Sequence, residues 1–160
     1  MKMSTRARYA LQLMVAIARS SDGHQPVSLD KVARSTRISK RYLEQLAAAL
    51  KKKSLLESAA GRSGGYLLAR AAEEIRVGHI IEAGIGPINI VDCVMKPEIC
   101  MSADVCECRP IYQLLNRRIK NVLNDYSLAD LADDQWLITA RKELSKCPEL
   151  EGRDSVGGGA

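Results

Sequence analysis

Leu43, Leu46, Ala47 and Leu50 follow one another at intervals of three, one and three residues. A helix gathers that spacing onto one face, whereas a strand scatters it over two. The same periodicity returns twice. Tyr9, Leu11, Leu13, Met14, Ile17 and Ala18 give a broad apolar face over residues 5–20. Ile111, Leu114, Leu115, Ile119, Val122, Leu123 and Tyr126 give a longer stripe over residues 110–127, and Pro110 suits its first turn. The chain has no Phe, five Tyr and one Trp, so its core is built from Leu, Ile, Val and Ala. Packed helices are expected rather than a sandwich.

The segment around the first repeat has a definite local plan. Ser28 is a natural N-cap, Asp30 favours the first turn, and Leu29, Val32 and Ala33 face inward. Ser35-Thr36-Arg37 breaks that helix, and Ser39 caps the next. Two short helices joined in this way form a helix-turn-helix. Leu55–Ala59 and Tyr66–Leu68 are strand candidates around Gly61-Arg62-Ser63-Gly64-Gly65, a hairpin "wing" with Arg62 at its tip. The predicted fold is therefore mainly α: a winged helix-turn-helix with a small β-hairpin and a long C-terminal helix. Residues 71–85 read as a further helix, Ser127-Leu-Ala-Asp-Leu131 as a short capped one, and the polar, Gly-rich residues 147–160 as a disordered tail.

Charge points to a partner. Residues 1–70 carry 14 Lys/Arg against 4 Asp/Glu, a net +10, while the remainder carries 10 against 15, a net −5. A basic half with a helix-turn-helix and a glycine-cornered wing predicts double-stranded DNA as partner. Arg41 and Gln45, four residues apart, are placed to read base edges; Ser39, Lys40, Lys51, Lys52 and Arg62 suit the phosphate backbone. No run reaches the roughly 18 apolar residues of a membrane span, and the N-terminus lacks a signal peptide's apolar core. A cytoplasmic protein without membrane association is expected. No Ser/His/Asp set, paired carboxylates or phosphate loop suggests an enzyme. His24 and His79 read as structural.

Four of the five cysteines, Cys93, Cys100, Cys106 and Cys108, fall within sixteen residues. In a reducing compartment such a cluster suggests metal or redox chemistry rather than a disulfide framework. Iron–sulfur ligation suits thiolates on an irregular loop. Zinc accepts four thiolates too, although paired C-x-x-C knuckles are absent. A thiol switch through Cys106 and Cys108, or a purely apolar role, is also compatible with the spacing. Cys147 stands apart.

The pieces together resemble the IscR/NsrR-type family of winged-helix regulators, from Met1 to about Leu131. The resemblance rests on Arg8-Tyr9-Ala10, on Ile38-Ser39 followed by Tyr42-Leu43-Glu44-Gln45-Leu46, on Gly61 with Gly64-Gly65-Tyr66-Leu67-Leu68, and on the cysteines downstream. It implies a homodimeric bacterial transcription factor that pairs through its long helix. Many members sense iron–sulfur status, nitric oxide or redox state through a bound cluster; others are cluster-free. Cys93, Cys100 and Cys106 match the family's three cysteine ligands, with a first gap of six residues where five is usual. The fourth ligand is a His at the place of Arg109 in some members, and an acidic residue from the partner's first helix, near Arg8, in others. Neither arginine can ligate, so Cys108 is the expected fourth ligand and Glu107 a weaker substitute.

The expected organisation is a DNA-binding domain over 1–84, a cluster-binding loop over 85–109, and a dimerisation helix with its short successor over 110–135. Ile111, Leu115, Ile119, Val122 and Tyr126 would form the dimer seam. The expected function is a redox, nitric oxide or iron–sulfur sensor acting on a roughly palindromic operator, with 2Fe–2S ahead of 4Fe–4S. The alternatives are a cluster-free repressor controlled by thiols or a partner, and a zinc-stabilised interaction protein.

Overall fold

In the computed structural model, described over residues 3–20, 25–61 and 64–146, α1 (Thr5–Ser20) is the central element. It buries Ala7, Ala10, Leu13, Met14 and Ile17 completely and packs against most of the other helices. Helices α2 (Leu29–Thr36) and α3 (Lys40–Lys52) follow, each starting where a serine can cap it. The Ser28 hydroxyl accepts from the Lys31 N–H, and the Ser39 hydroxyl from the Tyr42 N–H. Leu43, Leu46, Ala47 and Leu50 are fully buried, so the periodic row is the face that α3 turns to the core. Tyr42 locks the first turn of α3 to α1 through an edge-on contact with Tyr9, ring centroids 5.8 Å apart.

Strands β1 (Leu56–Ala59) and β2 (Gly65–Leu68) form an antiparallel hairpin with Leu56 opposite Leu68 and Ala59 opposite Gly65. Val27 extends this sheet, exchanging two backbone hydrogen bonds of 2.9 Å with Tyr66. Gly65 is needed there, because a Cβ would lie 2.5 Å from the Val27 carbonyl oxygen. Gly61 opens the turn at φ +110. The wing tip, Arg62, lies outside the described residues, as do His24, Cys147 and the expected tail 147–160.

The helix expected over 71–85 is shorter: α4 runs Val77–Ile85. The preceding backbone is used elsewhere. Leu128 N–H donates to the Ile75 carbonyl at 2.7 Å, Ala129 N–H to that of Ala72 at 3.2 Å, and Val77 N–H to that of Tyr126 at 3.0 Å. These bonds tie residues 72–77 to the chain between Tyr126 and Ala129, and the local bonds that remain, Glu74 N–H to Ala71 and Ile75 N–H to Ala72, make turns rather than a continuous helix.

Two short 3-10 helices, Asp92–Val94 and Pro97–Ile99, lead to the long helix α5 (Arg109–Asp125). Helix α6 (Leu128–Ala132) opens with a complete capping box: Asp130 N–H donates to the Ser127 hydroxyl at 3.1 Å, and Ser127 N–H donates back to the Asp130 carboxylate at 2.7 Å. A final helix, α7 (Asp134–Ser145), was not expected. None of its residues is buried, so no apolar row announces it. Asp133 caps it, Asp134 pairs with Arg19, and Trp136 meets Tyr126 edge-on at 5.5 Å between centroids. No described helix is long and apolar enough to cross a membrane.

The Ser127 backbone N–H, and after it the hydroxyl, hold the Asp130 carboxyl below its ordinary range. A carboxylate favoured by the fold stabilises the protein above its unfolded pKa and loses that effect as pH falls through the folded value. Ser127→Ala should therefore cost about 1 kcal/mol near neutral pH. In urea unfolding, the gap between variant and parent should narrow below about pH 4 by the part owed to the hydroxyl–carboxylate bond, and keep the part owed to the cap bond from Asp130 N–H.

Candidate functional site

The exposed face of α3 is opposite its buried row. Lys40, Arg41, Glu44, Gln45 and Ala48 all lie there. Arg41 and Gln45 are one turn apart and project together. Two of the expected phosphate-binding lysines have internal partners. Lys40 donates to Asp30 of α2 at 2.8 Å, and that hydrogen bond and charge raise its pKa, with Glu44 adding to the effect. Lys51 donates to the Ser58 hydroxyl of β1 at 2.6 Å, tying the end of α3 to the wing. Both are solvent-exposed contacts, which are weak and exchangeable. Lys52 is exposed, and Ser39 is occupied as the α3 cap.

Beyond two short 3-10 helices the cysteine segment has no regular structure, and it has little core to hold one: Asn89–Cys108 contains one buried residue, Ala103. Cys93 sits in the first 3-10 helix, Cys100 closes the second, and Cys108 is the N-cap residue of α5 without a side-chain capping bond. All four thiols are free; Cys93, Cys100 and Cys106 are half-buried and Cys108 is exposed. Among the described residues, no three His, Cys, Asp or Glu side chains converge into a metal-holding group. The charge of Cys108, then burial and the Cys108 side chain beside it, push the Tyr112 phenol above its ordinary pKa, with Cys106 and Cys93 adding smaller effects. Glu107 is exposed. Arg109 Nε is buried without a hydrogen-bond partner.

The start of the segment is clamped between helices. Ile90 N–H donates to Asn116 Oδ1 of α5 at 3.1 Å. Glu82 of α4 holds Lys120 of α5 at 2.9 Å and accepts from Ile88 N–H at 3.5 Å. Asn116 is the one residue of α5 that is buried. Tyr112, Asn116, Lys120 and Asn124, spaced by four, form a row on the side that faces the rest of the chain. Gly78 of α4 admits Asn124 closely: a Cβ there would stand 2.2 Å from Asn124 Oδ1.

The expected seam residues face outward. Ile111, Leu115 and Val122 are 48%, 42% and 54% exposed, and Leu114 and Tyr126 are exposed too. Ile119 is half-buried and lines a cavity of about 280 Å³ with Met3, Ile81, Ile85, Ile88 and Leu123. Met95, Ile99, Met101 and Val105 continue the apolar surface over the cysteine segment. Sequence reasoning missed Asn116 and Tyr112. Their four-residue spacing with Lys120 was the available signal, but a polar row beside an apolar one reads as the solvent side.

Comparison with known proteins gives concordant results. The family model described as "Rrf2: Iron-dependent Transcriptional regulator" matches residues 3–134. The Escherichia coli "HTH-type transcriptional regulator IscR" is 30% identical over 158 residues, covering 98% of this chain and 96% of that one. Among solved structures, CymR, "the Global Cysteine Regulator of B. subtilis", superposes with a TM-score of 0.67 at 33% identity, covering 82% of this chain and 96% of its own. The oxidised form of Staphylococcus aureus CymR gives a TM-score of 0.65 at 31% identity, with 83% and 97% covered. These relatives are named as regulators, not as enzymes.

Proposed function

Because this chain belongs to the Rrf2 family of winged-helix transcriptional regulators, we propose that it is a homodimer whose cysteine segment controls operator binding through an iron–sulfur cluster. The observation that carries this reading is one of placement. Cys108 opens α5, the helix whose apolar row is exposed. A change at the thiols therefore begins at the element that would set the geometry between two copies.

In this reading α3 enters the major groove, where Arg41 reads guanine and Gln45 reads adenine. Ser39, Lys40, Lys51, Lys52 and Arg62 hold the flanking phosphates, Lys40 and Lys51 exchanging their internal partners for DNA. Ile111, Leu115, Ile119, Val122 and Tyr126 bury one another across a twofold axis. That symmetry requires a roughly palindromic operator with half-sites on one side of the duplex.

Cys93, Cys100, Cys106 and Cys108 would hold the cluster, 2Fe–2S ahead of 4Fe–4S. The donor chemistry fits: four free thiols share one irregular segment, and the buried Arg109 N–H beside Cys108 lacks an acceptor that sulfur supplies. A bound cluster supplies a centre that gains or loses an electron and reacts with nitric oxide. Drawing the four thiols together requires the segment to tighten between its clamp at Asn116 and the start of α5. A coupling of about 1–3 kcal/mol through this path changes operator affinity roughly 5- to 150-fold. The second reading, a cluster-free thiol switch, is favoured by the likeness to CymR in its oxidised form and by thiols that do not converge.

Anaerobic purification followed by visible spectroscopy and iron, sulfide and zinc analysis separates these readings. We expect a coloured protein with matched iron and sulfide, converted or lost in Cys108→Ala. A colourless, iron-free protein that stays so after reconstitution overturns the cluster, and zinc in its place identifies a structural metal. Val122→Glu should convert a dimer to a monomer by sedimentation; a parent chain that is already monomeric refutes the seam. Arg41→Ala should relax base preference, while Lys52→Ala weakens every duplex alike and flattens the salt dependence. Equal losses on all sequences from both variants would remove Arg41 from the reading role.

A further inference from the structure

Helix α2 ends on a residue in the left-handed region: Arg37 has φ 59 and ψ 23. Its N–H donates to the Ala33 carbonyl at 2.9 Å, and the turn it makes sends Ile38 into the core and Ser39 to the start of α3. Glycine takes this backbone freely and asparagine nearly so, whereas a Cβ meets the carbonyl oxygen. Arginine is thus an unfavourable choice for the turn. No contact within the chain explains it: the side chain is exposed, and among the described residues it pairs with no carboxylate. An uncompensated strained residue calls for a role outside the folding of the chain itself.

The surroundings indicate that role. Arg37 stands in the turn between the two helices, three residues before Lys40, and Lys40 is already engaged by Asp30 at 2.8 Å. Among the described residues, Arg37 is, like Arg34 and Arg41, an exposed cation near the entry to α3 without an internal partner, and it alone of the three holds a left-handed backbone. We propose that Arg37 is a phosphate-binding residue of the DNA interface, its planar guanidinium gripping a backbone phosphate beside the groove that α3 enters. A glycine would relieve the turn but leave no side chain at this position to reach a phosphate. This rests on the DNA-binding reading of α3.

The test uses the full chain and a mixed-sequence duplex, titrated by fluorescence anisotropy between about 50 and 200 mM salt. Arg37→Gly should bind about three- to tenfold more weakly, by a similar factor on every duplex. Its slope of log affinity against log salt should be shallower by about 0.9 for each phosphate that the guanidinium neutralises in the parent. Its thermal midpoint should stay at or above that of the parent, since the left-handed strain is relieved. Arg37→Lys should keep the slope while losing part of the affinity. Ser54→Gly is the control: Ser54 is the other left-handed residue, at φ 53 beyond the end of α3, and its relief should leave the slope unchanged. An Arg37→Gly variant that binds like the parent, or that loses affinity together with its thermal midpoint, overturns the inference alone. A parent chain that binds no duplex overturns the DNA reading and the inference with it.

Discussion

Helix α5 is built inside out, and the arrangement of the C-terminal half follows from that. Its polar row, Asn116, Lys120 and Asn124, is turned toward the protein, where Asn116 holds the Ile90 backbone and Lys120 pairs with Glu82. Much of its apolar row, Ile111, Leu114, Leu115, Val122 and Tyr126, is left exposed, while Ile119 and Leu123 are half-buried. Hydrophobic burial alone would have rolled the helix over, since exposing Ile, Leu and Val side chains forfeits about 1.5–3 kcal/mol each relative to full burial. The roll goes with polar contacts, Asn116 accepting from Ile90 N–H and Lys120 pairing with Glu82, and with the room that Gly78 leaves for Asn124, whose Oδ1 is buried without a partner. An exposed apolar row on a helix whose other side is fixed by polar contacts is what the proposed dimer would cover.

The second constraint is the position of α1. It packs against α2 and α3 in the DNA-reading half and against α4 and α6 in the other. Arg6 Nε donates to the Gly84 carbonyl at 2.5 Å, and Gly84 lets Ala10 pack against the backbone of α4. The cysteine segment packs on α5, α5 on α4, and α4 on both α1 and α3. In the proposed function, this chain of packed helices is the path by which a change at Cys108 would reach α3.

The helix-turn-helix was legible in the sequence because its signals are local and independent of one another. A serine before each helix, an apolar row at helical spacing and a glycine-rich turn each have one physical reading, and all agree. The four cysteines were legible as a group because thiols are scarce elsewhere. What was not legible depends on distant partners. Residues 71–76 look helical until the chain between Tyr126 and Ala129 is brought beside them. Helix α7 has no buried residue to mark it and relies on Arg19 and Tyr126, the first of them far away in sequence. Asn116 looked like a solvent residue, since the side of α5 facing the chain meets Gly78 and Ile90, which lie well before it in the sequence.

The bridge between Val27 and Tyr66 has a mechanical consequence. It fastens the wing to the strand that leads directly into α2, while Lys51 and Ser58 fasten it again at the far end of α3. Among the described residues, helix and wing are thus joined at two places, by the Val27–Tyr66 backbone pair and, more weakly, by Lys51 and Ser58. In the dimer proposed above, two such heads would work like the jaws of a pair of calipers, their separation and tilt altered at the pivot rather than within either jaw.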